Sequence, residues 1–189
     1  MNPPTLYVVH FMAPINQNTA NMLMDRVLNA VTHGATEVRI HISSEGGSTH
    51  YGFALNNFLR SLTVPLVMHN IGNIQSMANV LFLSAPRRLV APNARFLIHP
   101  LQWDTAAMSI PHVRLREWTE SLDHDAKRFL EVFKNATHTA QSPLDVEKHL
   151  LGNALLLDAA AGVSAGMAHD VVSPAIPEGA TQSWVIANQ

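Results

Sequence analysis

The stretch P-L-V-M-H-N-I-G-N-I-Q-S-M-A-N-V-L-F-L, residues 65–83, joins a strand-like apolar run to a helix-like apolar run through one serine, Ser76. The first run, residues 65–71, is typical of a buried strand, and the residues after the serine indicate a helix. A lone serine at such a junction is ordinarily a helix N-cap or a small packing residue, and in a few proteins it is a nucleophile. Other segments of the chain decide between these interpretations.

The strand–helix order of this stretch recurs along the chain. Apolar residues between Ala20 and Val31 repeat at spacings of three and four, which predicts an amphipathic helix that Gly34 ends. Strands that alternate with helices are typical of a mostly parallel sheet, so the predicted fold class is α/β. The predicted strands cover residues 5–12, 37–42, 65–71, 88–91 and 94–99, and further helices cover residues 53–59, the segment after Ser76, and about 111–137, 144–151 and 159–165.

The composition limits the class of protein. The chain has 189 residues, which predicts a single domain, and 47% of them are apolar while only 14% are charged. So little charge indicates that part of the surface is covered, for example by copies of the same chain. A net charge of −2 favours neither a nucleic-acid partner nor an anionic membrane, and the absence of cysteine excludes disulfides and thiolate chemistry.

The sequence predicts neither a targeting segment nor a bound cofactor. Its first residues, M-N-P-P-T-L-Y-V-V-H, lack the regions of a signal peptide, and no run approaches the roughly 20 apolar residues of a membrane span. Eleven histidines are present, but they form no H-E-x-x-H motif, so no metal site is predicted. We therefore expect a cytoplasmic protein without metal or cofactor, with a loop-like tail over residues 173–189.

Three polar segments fall at the carboxyl ends of predicted strands, which is where ligands gather in parallel α/β sheets. They are S-S-E-G-G-S at 43–48, G-N-I-Q-S-M at 72–77 and L-I-H-P at 97–100. Together they bring two adjacent glycines, a serine and a histidine to one edge of the predicted sheet.

These residue types are the parts of an acyl-transfer site. Serine becomes a nucleophile when a base takes its proton, and His99 is the candidate base because histidine titrates near neutral pH. The carbonyl oxygen of the attacked group gains negative charge, which preorganised backbone N–H groups stabilise. The Gly46-Gly47 turn and the Met77 N–H at the helix start are the candidate donors, with Ser76 as the nucleophile.

The same segments resemble the signatures of the Clp protease proteolytic subunit family, ClpP, whose usual forms are S-P-G-G-S, G-x-A-A-S-M-G and R-x-M-I-H-Q-P. H-T-A-Q-S at 138–142 and G-M-A-H-D at 166–170 are similar to two further family segments, so the resemblance covers roughly residues 5–172. It implies Ser76 as nucleophile, His99 as base, and the N–H groups of Gly47 and Met77 as the oxyanion hole.

The resemblance also implies a fold and an assembly. The fold is the ClpP/crotonase-like spiral of repeated ββα units, in one domain over residues 1–189, with a protruding handle at about residues 100–137. The assembly is a heptameric or tetradecameric ring that encloses a chamber, and the reaction is hydrolysis of peptide bonds in unfolded polypeptides that a Clp-type ATPase supplies.

The third member of the family's catalytic triad is an aspartate that this sequence lacks. Counting forward from Ser142 places Asn153 at that position, and counting back from Gly166 places Ala154 there. Asn153 can orient the His99 ring through its side-chain oxygen but supplies no charge. Asp158 is a weaker candidate for the same role.

Three other departures from the family pattern affect the expected activity. Glu45 replaces a proline beside the oxyanion glycines, where a charge that pointed inward would oppose an oxyanion. The segment Q-W-D-T-A-A-M at 102–108 lacks the glycines with which the family pairs substrate as a strand. The family's N-terminal axial loop is also missing, which counts against docking of a Clp ATPase.

The sequence therefore predicts a serine endopeptidase that works inside a ring-shaped oligomer through Ser76, His99 and Asn153. One alternative is a ring subunit of the same fold that has lost efficient catalysis and has a structural or regulatory role. The other is a crotonase-type acyl-CoA enzyme, which shares the fold and the oxyanion hole but needs no serine nucleophile.

Overall fold

Three successive strand–helix units open the chain in the computed structural model, which describes residues 5–102 and 109–187. The strands are β1 Leu6–Met12, β2 Glu37–Ser44, β3 Leu66–Gln75, β4 Arg87–Val90, β5 Arg95–Ile98, β6 Leu155–Asp158, β7 Asp170–Val171 and β8 Thr181–Ile186. The helices are α1 Gln17–Thr32, α2 Thr49–Arg60, α3 Met77–Phe82, α4 His112–Thr137, α5 Val146–Leu150 and α6 Ala159–Ser164. The α/β class that the sequence predicts is confirmed.

The strands form one sheet in the order β8-β1-β2-β3-β5-β6, and β4 joins it between β3 and β7. All ladders are parallel except that between β5 and β6. The long strand β3 changes partner along its length, since residues 67–70 pair with β4 and residues 73–75 pair with β5. This change of partner carries the end of β3 toward β5, where the candidate serine and histidine lie.

Helix α1 shows how local sequence sets the ends of an element. The Asn16 side chain accepts the Thr19 N–H over 3.0 Å, and Thr19 Oγ1 accepts the Asn16 N–H over 3.1 Å, which completes a capping box. At the other end, Gly34 adopts a φ of 81° just after the His33 cap. Glycine reaches this conformation without steric cost, so the predicted helix end at Gly34 is confirmed.

The core lies between the sheet and the helices. Phe11 on β1, Ile40 on β2 and Met68 on β3 are fully buried on the face that α1, α2 and α3 cover. The last turns of α4 add Phe129 and Phe133, whose rings stack with centroids 4.9 Å apart. The first turns of α4 are mostly exposed, so this long predicted helix is present but only its second half packs on the core.

A buried arginine joins the ends of two helices to the sheet. Arg88 on β4 donates to the carbonyls of Ala85, Ala136, Gly166 and Met167. Burial lowers its pKa to about 10, and the four carbonyls replace the water that the guanidinium loses. Of the described helices, none combines the length and the apolar character that a membrane crossing requires.

The prediction of a loop-like tail over residues 173–189 is wrong for Thr181–Ile186. This segment is β8, which pairs in parallel with β1 along its whole length. A six-residue run after a proline- and glycine-containing stretch gives a weak strand signal, and its hydrogen bonds come from the edge of β1. The sequence also does not predict the short strands β6 and β7, because runs of four and two residues give weak strand signals. Six residues of the predicted handle, 103–108, lie outside the described ranges.

Candidate active site

Ser76 occupies a sharp turn between the last residue of β3 and the first residue of α3. Its φ of 51° and ψ of −128° make it the one non-glycine residue with a positive φ in the described ranges. An L-residue holds such angles at a cost of about 1–3 kcal/mol, so its surroundings must stabilise them. A strand–turn–helix elbow of this kind presents a serine hydroxyl at the end of a sheet. The half-buried Ser76 is therefore neither a side-chain N-cap nor a core residue.

The Gly46-Gly47 turn lies directly against this elbow. A Cβ atom on Gly46 would come within 2.8 Å of Ser76 Cβ and 3.0 Å of the Met77 nitrogen. A Cβ atom on Gly47 would come within 2.3 Å of the Ile15 carbonyl oxygen, and both glycines have positive φ angles. Only glycine satisfies both conditions, so the turn can approach the serine as closely as it does.

Two backbone N–H groups beside Ser76 have no acceptor among the described residues. Met77 is the first residue of α3, so its N–H lies outside the intrahelical pattern. The Ile15 N–H donates to the Gly46 carbonyl over 2.7 Å, and the Ile15 carbonyl accepts the Ser48 N–H over 2.9 Å. In this parallel bridge the N–H of Gly47, between those two residues, is directed away from Ile15. An oxyanion hole requires unpaired donors aimed at one oxygen atom, and these two N–H groups are the candidates for that role.

His99 lies just past the end of β5, next to the end of β3. The last pair of the ladder between these strands is Gln75 with Leu97, so Ser76 and His99 follow adjacent strand ends. His99 Nδ1 is 2.8 Å from the Pro100 carbonyl oxygen. Because a carbonyl can only accept, a neutral His99 carries its proton on Nδ1 and leaves the Nε2 lone pair available. No hydrogen bond joins Ser76 to His99 in the described structure, and such bonds often tighten only when substrate binds.

The ladder of β5 with β6 ends one residue before His99. The pairs run from Arg95 with Asp158 to Ile98 with Leu155. Continued by one residue, this antiparallel register sets Ala154 opposite His99, and one further residue sets Asn153 opposite Pro100. Opposed residues point to the same face of a sheet, whereas neighbours along a strand point to opposite faces.

No hydrogen bond joins the Asn153 side chain to His99 among the described residues. Asn153 is exposed, and its backbone carbonyl lies 2.9 Å from Nδ1 of His149. Asp158 lies at the far end of β6 and accepts the Ala161 N–H over 2.8 Å as the N-cap of α6. The described residues thus place no carboxylate on the His99 ring. Glu45 is exposed, so solvent screens its charge.

Three other histidines form a buried row across the middle of the sheet. His10, His41 and His69 are paired in register on β1, β2 and β3, with exposed fractions of 9%, 2% and 1%. Burial first, and then the neighbouring His69, His10 and Arg39, lower the pKa of His41 to about 4. Burial also lowers the pKa of His69, whose Nε2 lies 2.9 Å from the Val172 carbonyl. No group of three or more ligating side chains suited to a metal ion occurs in the described ranges.

Two features of the site gave no signal in the sequence. One is the Pro100 carbonyl, because a backbone group leaves no pattern of residue types. The other is Asn79, a buried residue of α3 whose side chain contacts the carbonyls of Ser76 and Leu97. A polar residue in the first turn of a helix is ordinary, and only the tertiary structure shows that it reaches across to β5.

Comparison with known proteins matches this chain to one family. The sequence pattern of the Clp protease family covers residues 6–175. ATP-dependent Clp protease proteolytic subunit 3 of Rhizobium etli is 28% identical over 98 residues, which are 51% of this chain and 50% of that protein. ATP-dependent Clp protease proteolytic subunit 2 of Treponema denticola is 31% identical over 88 residues, 45% of this chain and 44% of that protein.

The matched region spans about half the length of these curated relatives. Among solved structures, a mutant of ClpP1 from Listeria monocytogenes has the same fold, with a TM-score of 0.75. The two chains are 18% identical, and the alignment covers 88% of this chain and 91% of the other. The predicted resemblance in sequence and in fold is therefore confirmed.

Proposed function

We propose that this chain, which belongs to the Clp protease family, is a serine peptidase that cleaves peptide bonds through an acyl-enzyme. Ser76 Oγ attacks the peptide carbonyl carbon while its proton passes to Nε2 of His99. The protonated His99 then gives this proton to the leaving amine as the C–N bond breaks. In the second half, His99 takes a proton from the water that attacks the acyl carbon, and it returns this proton to Ser76 Oγ as the acyl C–O bond breaks and the new carboxyl group leaves.

The observation that carries this proposal is the strained elbow at Ser76, with one unpaired N–H on the next residue, Met77, and another in the adjacent Gly46-Gly47 turn. A serine that served only as a cap or as filling would not require a positive φ or two empty donors. The N–H groups of Gly47 and Met77 would bind the oxyanion that forms on the attacked carbonyl. In a known serine protease, the loss of one such donor costs about 3–4 kcal/mol of transition-state stabilisation.

In this proposal the Pro100 carbonyl takes the role of the third triad member. It accepts the Nδ1 proton of His99 and so fixes the tautomer, which is the orienting half of the aspartate's role. A neutral carbonyl stabilises the imidazolium less than a carboxylate does. We therefore expect a slow enzyme.

The substrate proposed is a polypeptide in extended form, and the assembly proposed is a heptameric or tetradecameric ring. Apolar side chains stand exposed on the first turns of α4, where Val113 is 62% and Leu115 is 47% exposed, which supports self-association through this helix. The relatives are named as proteolytic subunits of ATP-dependent Clp proteases, which supports a Clp-type ATPase as the partner that supplies substrate, against the weak docking that the sequence predicts.

The test is covalent labelling with a fluorophosphonate, followed by intact-mass spectrometry, on protein whose folding and oligomeric state have been measured. We expect one adduct on the wild type, with the label on Ser76 in the peptide map. Ser76→Ala is the control and should take no label. An unlabelled wild type would overturn the proposal and favour the alternative of a ring subunit without catalysis.

A further inference from the structure

We infer that Asn79 is a positioning residue that holds the nucleophile turn against the strand that carries the base. This inference rests on the proposed function, because it assigns a role in the reaction of Ser76 with His99. Asn79 touches neither substrate nor the reacting atoms, and it acts through the backbone of the two segments that it joins.

The contacts of Asn79 link two backbone carbonyls. Its Nδ2 donates to the Ser76 carbonyl over 3.0 Å and to the Leu97 carbonyl over 2.9 Å. The Leu97 carbonyl also accepts the Ser76 N–H over 3.1 Å. One side chain therefore bonds both to the nucleophile residue and to the residue two positions before His99.

The link lies where regular pairing of the two strands ends. The ladder between β3 and β5 stops at Gln75 with Leu97, because the positive φ of Ser76 turns the chain out of the strand. Beyond that pair, the relative placement of Ser76 and His99 depends on bonds outside the ladder. Asn79 supplies one such bond from inside α3, so it couples the helix, the elbow and the strand of the base.

The burial of Asn79 argues that the link has a use. Asn79 is 0% exposed, and its Oδ1 is enclosed without a hydrogen-bond partner among the described residues. A buried acceptor without a partner destabilises a fold, so an apolar residue would serve simple packing better. Both N–H groups of the Asn79 side chain donate hydrogen bonds, which an apolar residue could not form.

Asn56 provides a matched control in the same part of the fold. It is 3% exposed, and its Nδ2 donates to the Val80 carbonyl of α3 over 2.7 Å. Asn56→Ala therefore removes a buried amide donor to the same helix without touching the elbow or β5. Asn79→Ser separates the two bonds of Asn79, because a serine hydroxyl reaches the Ser76 carbonyl three residues back but not Leu97.

The experiment measures two quantities in oligomeric wild type, Asn79→Ala, Asn79→Ser and Asn56→Ala. One is the second-order rate of fluorophosphonate labelling at Ser76, and the other is the hydrogen-exchange rate of the Ser76 amide. We expect both Asn79 variants to label about ten- to a hundredfold more slowly and to exchange this amide faster. Asn56→Ala should lose comparable thermal stability while both rates stay at the wild-type values.

Labelling and exchange at the wild-type rates in Asn79→Ala would overturn the inference, as would full rescue by Asn79→Ser. The same holds if Asn56→Ala slows labelling as much as Asn79→Ala does, since the effect would then reflect general loss of stability. If the wild type takes no label, the proposed function fails by itself. The Ser76 exchange rate then still decides whether Asn79 holds the turn to β5.

Discussion

The histidine beside the nucleophile and the histidines at the centre of the sheet differ in what surrounds them. His99 lies one residue past the end of β5, half-buried, with one ring nitrogen bonded to Pro100 and the other available. His41 lies in the middle of β2, 2% exposed, between two other histidine rings whose centroids are 5.2 and 5.4 Å away. The same side chain is thus a candidate base at a strand end and a neutral packing group at a strand centre.

This difference follows from what a protonated ring would meet. Around His41, the nearby titratable or charged groups are His10, His69 and Arg39, and its Nε2 has no partner among the described residues. A charge there would be both desolvated and repelled, so burial keeps the ring neutral. His99 lies instead at the sheet edge, half-buried, with Nδ1 bonded to the Pro100 carbonyl. The position of each histidine along its strand, and not its residue type, therefore distinguishes the two roles.

The largest expected effect is on the labelling rate of Ser76, and it distinguishes His99 from His41. His99→Gln should slow labelling of Ser76 by about a hundred- to ten-thousandfold with little change in thermal stability, because it removes the base. His41→Leu should leave the labelling rate unchanged and alter stability instead. Labelling rates and melting temperatures of both variants check this pattern. A labelling rate that falls equally in the two variants would show that His99 has no special role as the base.

The second effect concerns the missing carboxylate opposite His99. Ala154→Asp should raise the labelling rate by about tenfold or more, since in a serine protease the aspartate contributes up to about 10⁴ in turnover. Asn153→Asp is the matched control and should bring no gain, because the strand register directs it to the other face. A gain from Asn153→Asp alone would show that the β5–β6 register does not continue past Ile98.

The third effect is a loss of stability in acid. The pKa of His41 is lowered to about 4 in the fold, against about 6.5 in the unfolded chain, so the unfolded state binds more protons between these values. The stability tied to the neutral ring is full above pH 6.5 and is lost as the pH falls toward 4. It amounts to about 3 kcal/mol.

Urea unfolding at several pH values between 7.5 and 4.5 measures this loss. His41→Leu should flatten the pH dependence, because the group that takes up the proton is gone. An exposed histidine offers a control, and His33→Gln should leave the dependence as steep as in the wild type. Equal slopes in wild type and His41→Leu would assign the acid sensitivity to other groups.

The smallest effect is that of the exposed carboxylate beside the glycine turn. Glu45→Gln should change the labelling rate by no more than about twofold, because an exposed charge is screened by solvent and salt. The labelling rates of wild type and Glu45→Gln, measured at low and at high ionic strength, should become more similar as the ionic strength rises. A large gain from Glu45→Gln would mean that this carboxylate turns toward the oxyanion site.

The placement of the candidate site residues could be predicted from sequence because each of them follows a strand. Ser76, His99 and the Gly46-Gly47 turn each stand at a strand end, and parallel strands bring their carboxyl ends to one edge. The third position of the triad could not be settled in this way. Counting in sequence left Asn153 and Ala154 open, and the pairing of β5 with β6, continued one residue past Ile98 and Leu155, favours Ala154 as the residue opposite His99.

The sequence by itself determined the α/β class, the order of the main strands and helices, and the residue types at the site. These follow from local periodicity and from motifs whose spacing the chain carries. The tertiary structure alone decided the pairing of β8 with β1, the bond from His99 to Pro100 and the reach of Asn79 to Leu97. The physical reason is that backbone hydrogen bonds and contacts between distant segments leave no periodic trace, because any residue can supply a carbonyl.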